Sequence, residues 1–429
     1  MRFQERTARE GPFGSSTPSS KIPIKANSLE ERQKRKGGGK YGHVGHGRQT
    51  VLESKSEAIE HISAPDRCPD CGIKLLSKGY KRRAVIDCHP IRMIQKIFRL
   101  ECKRCPRCGK QVQAQTPGVL PKSLYGNQLL THVAVEHYLR GLTLGQLERQ
   151  TGVGYSSLVE AMHGLAGRLE PCMEQFISEY RQTPVKHADE TGWRTDGQNG
   201  YAWLFTAPFI SIFRFRKSRS AKVAQEVFGS KHLPGVLVVD RYNAYNKTPC
   251  RLQYCYAHLL RAVEDLEKEF PENPEIKAFV QAFAPLLAQA MHLRTLRTSR
   301  RQFKRQAYVI RQSIRQAVNV SAIHPGIQQI QNIFRENNNR LFWWCKTPVI
   351  PADNNFAERE LRPLVIARRI SFGSQSDAGA HTREILMSVL LTMQKRTPNV
   401  AATLKSALDT LIKNPTANIY NLLFPPNSS

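Results

Sequence analysis

No stretch of 18 or more consecutive apolar residues occurs in this 429-residue chain, which excludes a membrane-spanning helix of ordinary length. The first residues, MRFQERTAREGPFGSS, lack the apolar core of a secretory signal peptide, so a cytoplasmic location is expected. In that compartment the ten cysteines read as metal ligands or reduced thiols rather than disulfides. Acid is scarce: 35 Asp and Glu stand against 64 Lys and Arg, a formal net charge of +29. Such a surplus points to a polyanionic partner, nucleic acid before all others. An anionic membrane surface fits less well, because no strongly amphipathic basic helix adjoins an anchor. A basic protein with no nucleic-acid ligand is the competing, blander reading.

Large apolar residues are nearly missing from residues 1–60, where SSTPSSK and RQKRKGGGKYGHVGHGR are basic and Gly-rich. Such a segment cannot build a core and reads as a disordered arm, either a solvated tail or a DNA-touching one. Residues 61–120 hold two copies of one formula, Cys-Pro-x-Cys-Gly, at Cys68 and Cys71 and at Cys105 and Cys108. Pro and Gly shape a tight turn that presents two thiolates, and two such knuckles complete a tetrahedral zinc site. Between them RRAVIDCHPIRMIQKIFRLEC reads as a strand pair. Cys102 offers a second pairing with Cys105, but the matching knuckle favours Cys108. Unliganded buried thiols fit poorly in such polar, turn-forming sequence.

Residues 121–180 turn helical. LTLGQLERQTGVGYSSLVEAMHGLAGRL reads as helix, turn at Thr151-Gly152-Val153, and a second helix started by Ser156 and Ser157. With Leu144 and Leu147 on the first helix, this is a helix-turn-helix pattern for DNA; a plain helical hairpin is the alternative.

From 181 to 378 the period changes. PVKHADETGWRT and GYAWLFTAP read as strands around the turn DGQNG, and SIFRFRKSR as a third strand. A helix, SAKVAQEVFGSKHL, and a buried strand, GVLVVDRYNAY, follow. That order matches a ribonuclease-H-like core, so the fold class expected is multi-domain α+β. Asp189 lies within the first strand and Asp240 at the end of VLVVD. If these strands are neighbours the carboxylates face one another, and they repel unless cations sit between them. Oxygen-only ligation favours Mg²⁺ or Mn²⁺. A lone Asp at a strand end is otherwise usually a cap. The third carboxylate is sought in PADNNFAERELRPLVIARR, where Asp353 and Asn354 can cap a helix bearing Glu358, Leu361, Arg362 and Val365 on one face. Glu358 is then a metal ligand, with Arg362, Arg368 and Arg369 available for phosphate; a solvated amphipathic helix is the alternative.

Four stretches in this order, ADET with a following Trp, VVDRYNAY, CYAHLLR and DNNFAERELRP, resemble the signatures of the insertion-sequence-66 family of bacterial DDE transposases. The resemblance covers most of the chain from PFGSS onward. It implies Asp189, Asp240 and Glu358 as the catalytic, metal-binding triad. Only eleven residues precede Pro12, so the family's coiled-coil-like leader is nearly absent. The family's Cys-Trp-Ala-His motif stands here as Cys255-Tyr256-Ala257-His258, and His258 is either a site residue or a structural one.

Between Asp240 and Glu358 lie 117 residues, too many for a minimal core, so a helical insertion of roughly 260–345 is expected. Residues 290–315 hold eight Arg or Lys and no acid, with Arg300, Arg301, Lys304 and Arg305 the candidates for lining a DNA channel. Trp343 and Trp344 read as core before base-stacking. Residues 379–429 read as two helices forming a C-terminal cap, broken at TPN. The function expected is cleavage and joining of double-stranded DNA at element ends and target. Two metal ions about 4 Å apart would serve it, with no covalent protein intermediate and no role for the many tyrosines. A homo-oligomer on DNA and helper proteins from the same element are expected partners, in a bacterial cytoplasm. The rivals are another ribonuclease-H-like nuclease, and a zinc and helix-turn-helix regulator with an inactive core.

Overall fold

The computed structural model describes residues 123–425 apart from 297, together with 116–121, 93–104 and scattered positions before and between these. Residues 1–16 and 98–429 group into one unit and 17–97 into another. Among the described residues, all regular elements lie in the first.

Strands β1 (Cys102–Arg104) and β2 (Gln111–Gln113) pair antiparallel, with Arg104 opposite Gln111. The strand pair expected between the knuckles is absent over 93–100, which carries no regular structure and leaves Ile94 and Ile97 exposed. Its earlier half, 82–92, lies outside the described residues. Helix α1 (Asn127–Tyr138) precedes α2 (Leu144–Thr151) and α3 (Tyr155–Leu169). A reciprocal Thr143–Gln146 capping box starts α2, and Gly152, at φ 68°, ends it in the left-handed conformation that lacks a steric penalty only for glycine. The second helix does not start on its serines as expected. Gly154 precedes it, and the Glu148 carboxylate of α2 reaches across to accept from the Tyr155 N–H at 2.9 Å. That carboxylate satisfies a helix-end donor that no local side chain caps. Helix α4 (Cys172–Gln182) then leads into the sheet.

Strands β3 (Val185–Thr195) and β4 (Gln198–Ala207) are joined by Asp196 and Gly197, both at positive φ, which is the two-residue turn that an Asp-Gly pair favours. The turn is therefore tighter than the expected DGQNG loop. Strand β5 (Ile210–Arg216) and helix α5 (Ala221–Phe228) follow. The next strand, β6, is only Val236–Val239, and YNAY does not extend it: Asn243–Lys247 coils into a 3₁₀ turn. Strand β7 (Arg251–Tyr254) was not foreseen. The sheet order is β5-β4-β3-β6-β7, antiparallel through β3 and parallel beyond it. The expected neighbours, first and fourth strands, are thus adjacent.

Helices α6 (Tyr256–Glu269), α7 (Pro274–His292), α8 (Arg300–Asn319) and α9 (Pro325–Glu336) stand between β7 and α10 (Asn355–Ser371). Trp344 is buried, as a core residue should be; Trp343 is half-buried and carries Lys346 over its ring at 3.9 Å. The chain closes with α11 (Asp377–Arg396), α12 (Val400–Lys413) and α13 (Ile419–Leu423).

Helix α11 is no peripheral cap. It is buried almost continuously from Ala380 to Met393 and lies along the free edge of β5. Thr392 Oγ1, Ser388 Oγ and Glu384 Oε2 accept from the backbone N–H groups of Ser211, Phe213 and Phe215 at 3.0, 2.8 and 3.0 Å. Acceptors four residues apart on a helix advance about 6 Å, close to the rise of two strand residues, so the two periods match. An edge that would otherwise offer unpaired donors is closed. The same helix packs against α3, so α3 shares a core with the C-terminal segment. Among the described residues no helix is long and apolar enough to cross a membrane.

Candidate functional site

Strand register brings the first two acids together. Val185, Lys186 and His187 lie opposite Val236, Leu237 and Val238 in a parallel pair. The pairing ends there and β6 ends at Val239; Asp240 follows it directly, and its charge acts on Asp189. Neighbouring parallel strands lie about 4.8 Å apart. Asp189 Oδ1 accepts from the Glu190 N–H at 2.9 Å, and among the described residues no cation pairs with it. Burial first, then the charges of Glu190, Asp240 and Glu358, push its carboxyl well above the usual range. Asp240 Oδ1 accepts from the Tyr242 N–H at 2.9 Å, which turns the chain away from the sheet.

Glu190 points to the opposite face and is satisfied there. Arg219 reaches its Oε1 at 2.5 Å, and the buried Tyr245 hydroxyl donates to Oε2 at 2.5 Å. Arg219 lies 3.9 Å over the Tyr242 ring, whose hydroxyl donates to the Arg219 carbonyl. Of two adjacent acids on one strand, only Asp189 therefore lacks a counter-charge. Tyr242 and Tyr245, three residues apart on one 3₁₀ turn, do have a role: they fix the Glu190–Arg219 pair beside the acid cluster.

The third acid is set by Asn354. Its side chain does not cap α10, as expected for it, because it clamps β3 instead. Nδ2 donates to the Ala188 carbonyl at 2.9 Å and Oδ1 meets His187 Nδ1 at 2.9 Å, directly before Asp189. Asp353 alone supplies the cap, accepting from the Asn355 N–H at 3.0 Å. Glu358 then sits in the first turn of α10, where its Oε1 accepts from Arg261 at 3.0 Å and lies 3.9 Å from His258 Nδ1. His258 Nδ1 is buried and has no hydrogen-bond partner among the described residues. Burial, then Arg261, lowers its pKa, while Glu358 and Asp240 pull the other way. Cys255 precedes α6; its Sγ accepts from the Asn354 N–H at 3.1 Å, and burial pushes the thiol up to about 11. One ligand atom from each of Cys255, His258 and Glu358 lies within 4.8 Å of the others, a geometry that can hold a metal ion.

The remaining sequence-derived residues fall in three groups. Arg300, Arg301, Lys304 and Arg305 are all exposed on α8, whose opposite face buries Phe303, Ala307, Ile310 and Ile314. Arg362 and Arg369 are exposed on α10, but Arg368 is turned inward and donates to Thr191 Oγ1 at 2.9 Å and the Gly192 carbonyl at 2.7 Å. Those bonds use its N–H groups on strand β3 rather than offering them to phosphate. Cys108 is exposed in a turn; Cys68, Cys71 and Cys105 lie outside the described residues.

The sequence model of the family described as Transposase IS66 family matches residues 122–382, well over half of the chain. The chain is also similar to two proteins of Sinorhizobium fredii. One, described as Uncharacterized protein y4qI, is 25% identical over 389 residues, 78% of this chain and 69% of that protein. The other, Uncharacterized protein y4jD, is 23% identical over 369 residues, 77% of this chain and 71% of that protein.

Proposed function

We infer that this chain, which belongs to the IS66 family of transposases, cuts and joins double-stranded DNA at the ends of its element. Asp189, Asp240 and Glu358 are the catalytic residues in this reading. The observation that carries it is the uncompensated Asp189, on the strand beside the one that Asp240 directly follows, and raised by burial and by the charges of Asp240 and Glu358. The strand order supports a ribonuclease-H-like core. The donor set fits Mg²⁺ or Mn²⁺: three carboxylates, of which only Glu358 has an ion-pair partner among the described residues. When bound, such ions supply charge that polarises the scissile phosphate and activates water or a 3′-hydroxyl. The protein's own part is positional. Asn354 ties the helix of Glu358 to the strand of Asp189, and the Glu190–Arg219–Tyr245 set stiffens the other side of that strand. Arg362 and Arg369 face solvent from α10, where DNA phosphates would run. Cys255 and His258 would let a softer metal share Glu358.

Within the chain, an arm over 1–60, a zinc domain over 61–120, a helix-turn-helix region over 121–180, a catalytic core over 181–378 and helices over 379–429 divide the work. The protein works on DNA in the bacterial cytoplasm as a homo-oligomer, with helper proteins from the same element. Cys68, Cys71, Cys105 and Cys108 hold structural zinc. Metal analysis should give one zinc per chain, lost in Cys68→Ser; a full complement in that variant would remove Cys68 from the ligand set.

A transposase differs from a plain nuclease in using a DNA 3′-hydroxyl as nucleophile. A duplex carrying a pre-cleaved element end should be joined to plasmid DNA by the full chain in Mg²⁺. Nicking without any joined product would favour the nuclease reading, and binding without either would favour the regulator.

A further inference from the structure

A cation lies in the middle of α11 with no anion beside it. Arg383 is buried, at 6% exposure, and among the described residues no carboxylate pairs with it. Three other inward-facing cations have oxygen partners. Lys395 has Glu360 and three further oxygens, Arg214 has Glu384, and Lys186 has two backbone carbonyls. Among the described residues Arg383 has a single hydrogen bond, from its Nη2 to His137 Nε2 at 3.0 Å. His137 Nδ1 meets the Leu142 carbonyl at 2.6 Å, which can only accept, so Nδ1 carries the proton and Nε2 offers its lone pair. The imidazole is held neutral: burial, then the Arg383 charge, lowers its pKa to about 4. The Tyr138 and Trp193 rings, 5.2 and 5.3 Å from the guanidinium carbon, offset part of the desolvation but bring no charge.

The guanidinium lines a cavity of about 280 Å³ between the α1–α2 loop, α3, the end of α10 and the start of α11. Among the described residues its lining includes Thr143, Tyr155, Ser374, Ser376 and Thr382 beside a larger apolar share that includes Leu142, Val159, Met162 and Ile370, and no Asp or Glu. Arginine has five N–H groups in a fork that suits phosphate oxygens, and only one of them is used here. A buried, unpaired cation lining an acid-free cavity is a site completed by an anion.

We propose that this cavity binds a phosphate group anchored by Arg383, and that in the working protein the phosphate belongs to the backbone of a DNA strand. The DNA source rests on the transposase reading; the phosphate site does not. Any strand held there would touch the helix-turn-helix pair and the helix of Glu358 at once, because both border the cavity.

The test uses the full chain. Inorganic phosphate, compared with chloride at equal ionic strength, should raise the wild-type Tm by about 2 °C or more. Arg383→Met should match or exceed the wild-type Tm in chloride, since it removes an unpaired charge, and should lose the phosphate response. Ser376→Asp is the second variant: Asp caps a helix as Ser does, and it adds the missing negative charge at the cavity wall. It should fold, and should also lose the response. With a random-sequence duplex, Arg383→Met should reduce the slope of log K against log salt by about 0.9, the share of one phosphate contact. A phosphate response with an unchanged slope would assign the site to free phosphate instead of DNA. Failure to bind any duplex would remove the transposase reading and leave the phosphate arm to decide alone. No phosphate response in the wild type, or an undiminished one in both variants, would overturn the proposal. So would a Met variant that loses its fold while Ser376→Asp responds like wild type.

Discussion

Asp240→Asn should abolish Mg²⁺-dependent DNA cleavage while leaving DNA affinity within about a factor of two. The substitution is nearly isosteric, and the Asn carbonyl oxygen can still accept from the Tyr242 N–H that Asp240 Oδ1 now holds. The turn after β6 is therefore preserved, and with it Tyr245 and its bond to Glu190. What disappears is half of the facing carboxylate pair. A loss of about 10³-fold or more in single-turnover cleavage, about 4 kcal/mol of transition-state stabilisation, is the scale for removing a group that acts on the reacting centre. Binding should persist because the exposed cations of α8 and α10 are remote from the substitution in sequence and unchanged in charge. A fall of less than tenfold in cleavage would remove Asp240 from the catalytic set.

Neutralising Arg300, Arg301, Lys304 and Arg305 together should weaken binding to every DNA sequence alike. All four are exposed, and the helix stays anchored by Phe303, Ala307, Ile310 and Ile314 on its other side and by the Ser299–Gln302 capping box at its start. Glutamine at the four positions keeps helix propensity, so the fold should survive. If each cation neutralises one phosphate, the slope of log K against log salt should fall by roughly 3 to 4, and affinity by two or more orders of magnitude at low salt. Element ends and scrambled duplex should lose equally, because cations spread around a helix hold phosphates without reading bases. Loss confined to end sequences would instead make α8 a recognition helix.

The strands beside the two aspartates were legible because strand patterns are local: the turn DGQNG between PVKHADETGWRT and GYAWLFTAP and the apolar run before Asp240 mark them. The helices of 144–169 and the basic face of α8 were legible from periodicity for the same reason. Contacts between distant segments were not. Asn354 looked like a helix cap because Asn is one of the best caps, yet β3 lies close enough to take both ends of its amide. Arg368 looked free for phosphate until the strand carbonyls were placed beside it. Tyr245 and Arg219 meet Glu190 across 55 and 29 residues of sequence, with no spacing to mark them. Only the alternation of strand faces hinted that Asp189 and Glu190 would part ways. The placement of α11 against β5 depends on Glu384, Ser388 and Thr392 recurring every four residues. That polar stripe was readable, but its meaning required knowing which strand forms the edge. It also changes how recognition is tested. Helix α3 packs on α11 with His163 bonded to Thr382, and the neighbouring α1 is tied to α12 by Asn127 and Asp409, so specificity belongs to experiments on the whole chain.

The proposed metal site is tested most directly by thermal stability with and without Mg²⁺ in wild type and Asp189→Asn. The folded protein raises the Asp189 pKa, so without Mg²⁺ it favours the protonated acid. The stability linked to that proton is fully present below the unfolded value near 4 and is lost as pH rises toward the folded value. At pH 7 in Mg²⁺-free buffer, Asp189→Asn should therefore melt higher than wild type, since an amide carries no charge to repel Asp240 and Glu358. Adding Mg²⁺ should raise the wild-type Tm and leave the variant nearly unmoved. A Mg²⁺ response of equal size in both proteins would contradict a shared site built on Asp189, Asp240 and Glu358.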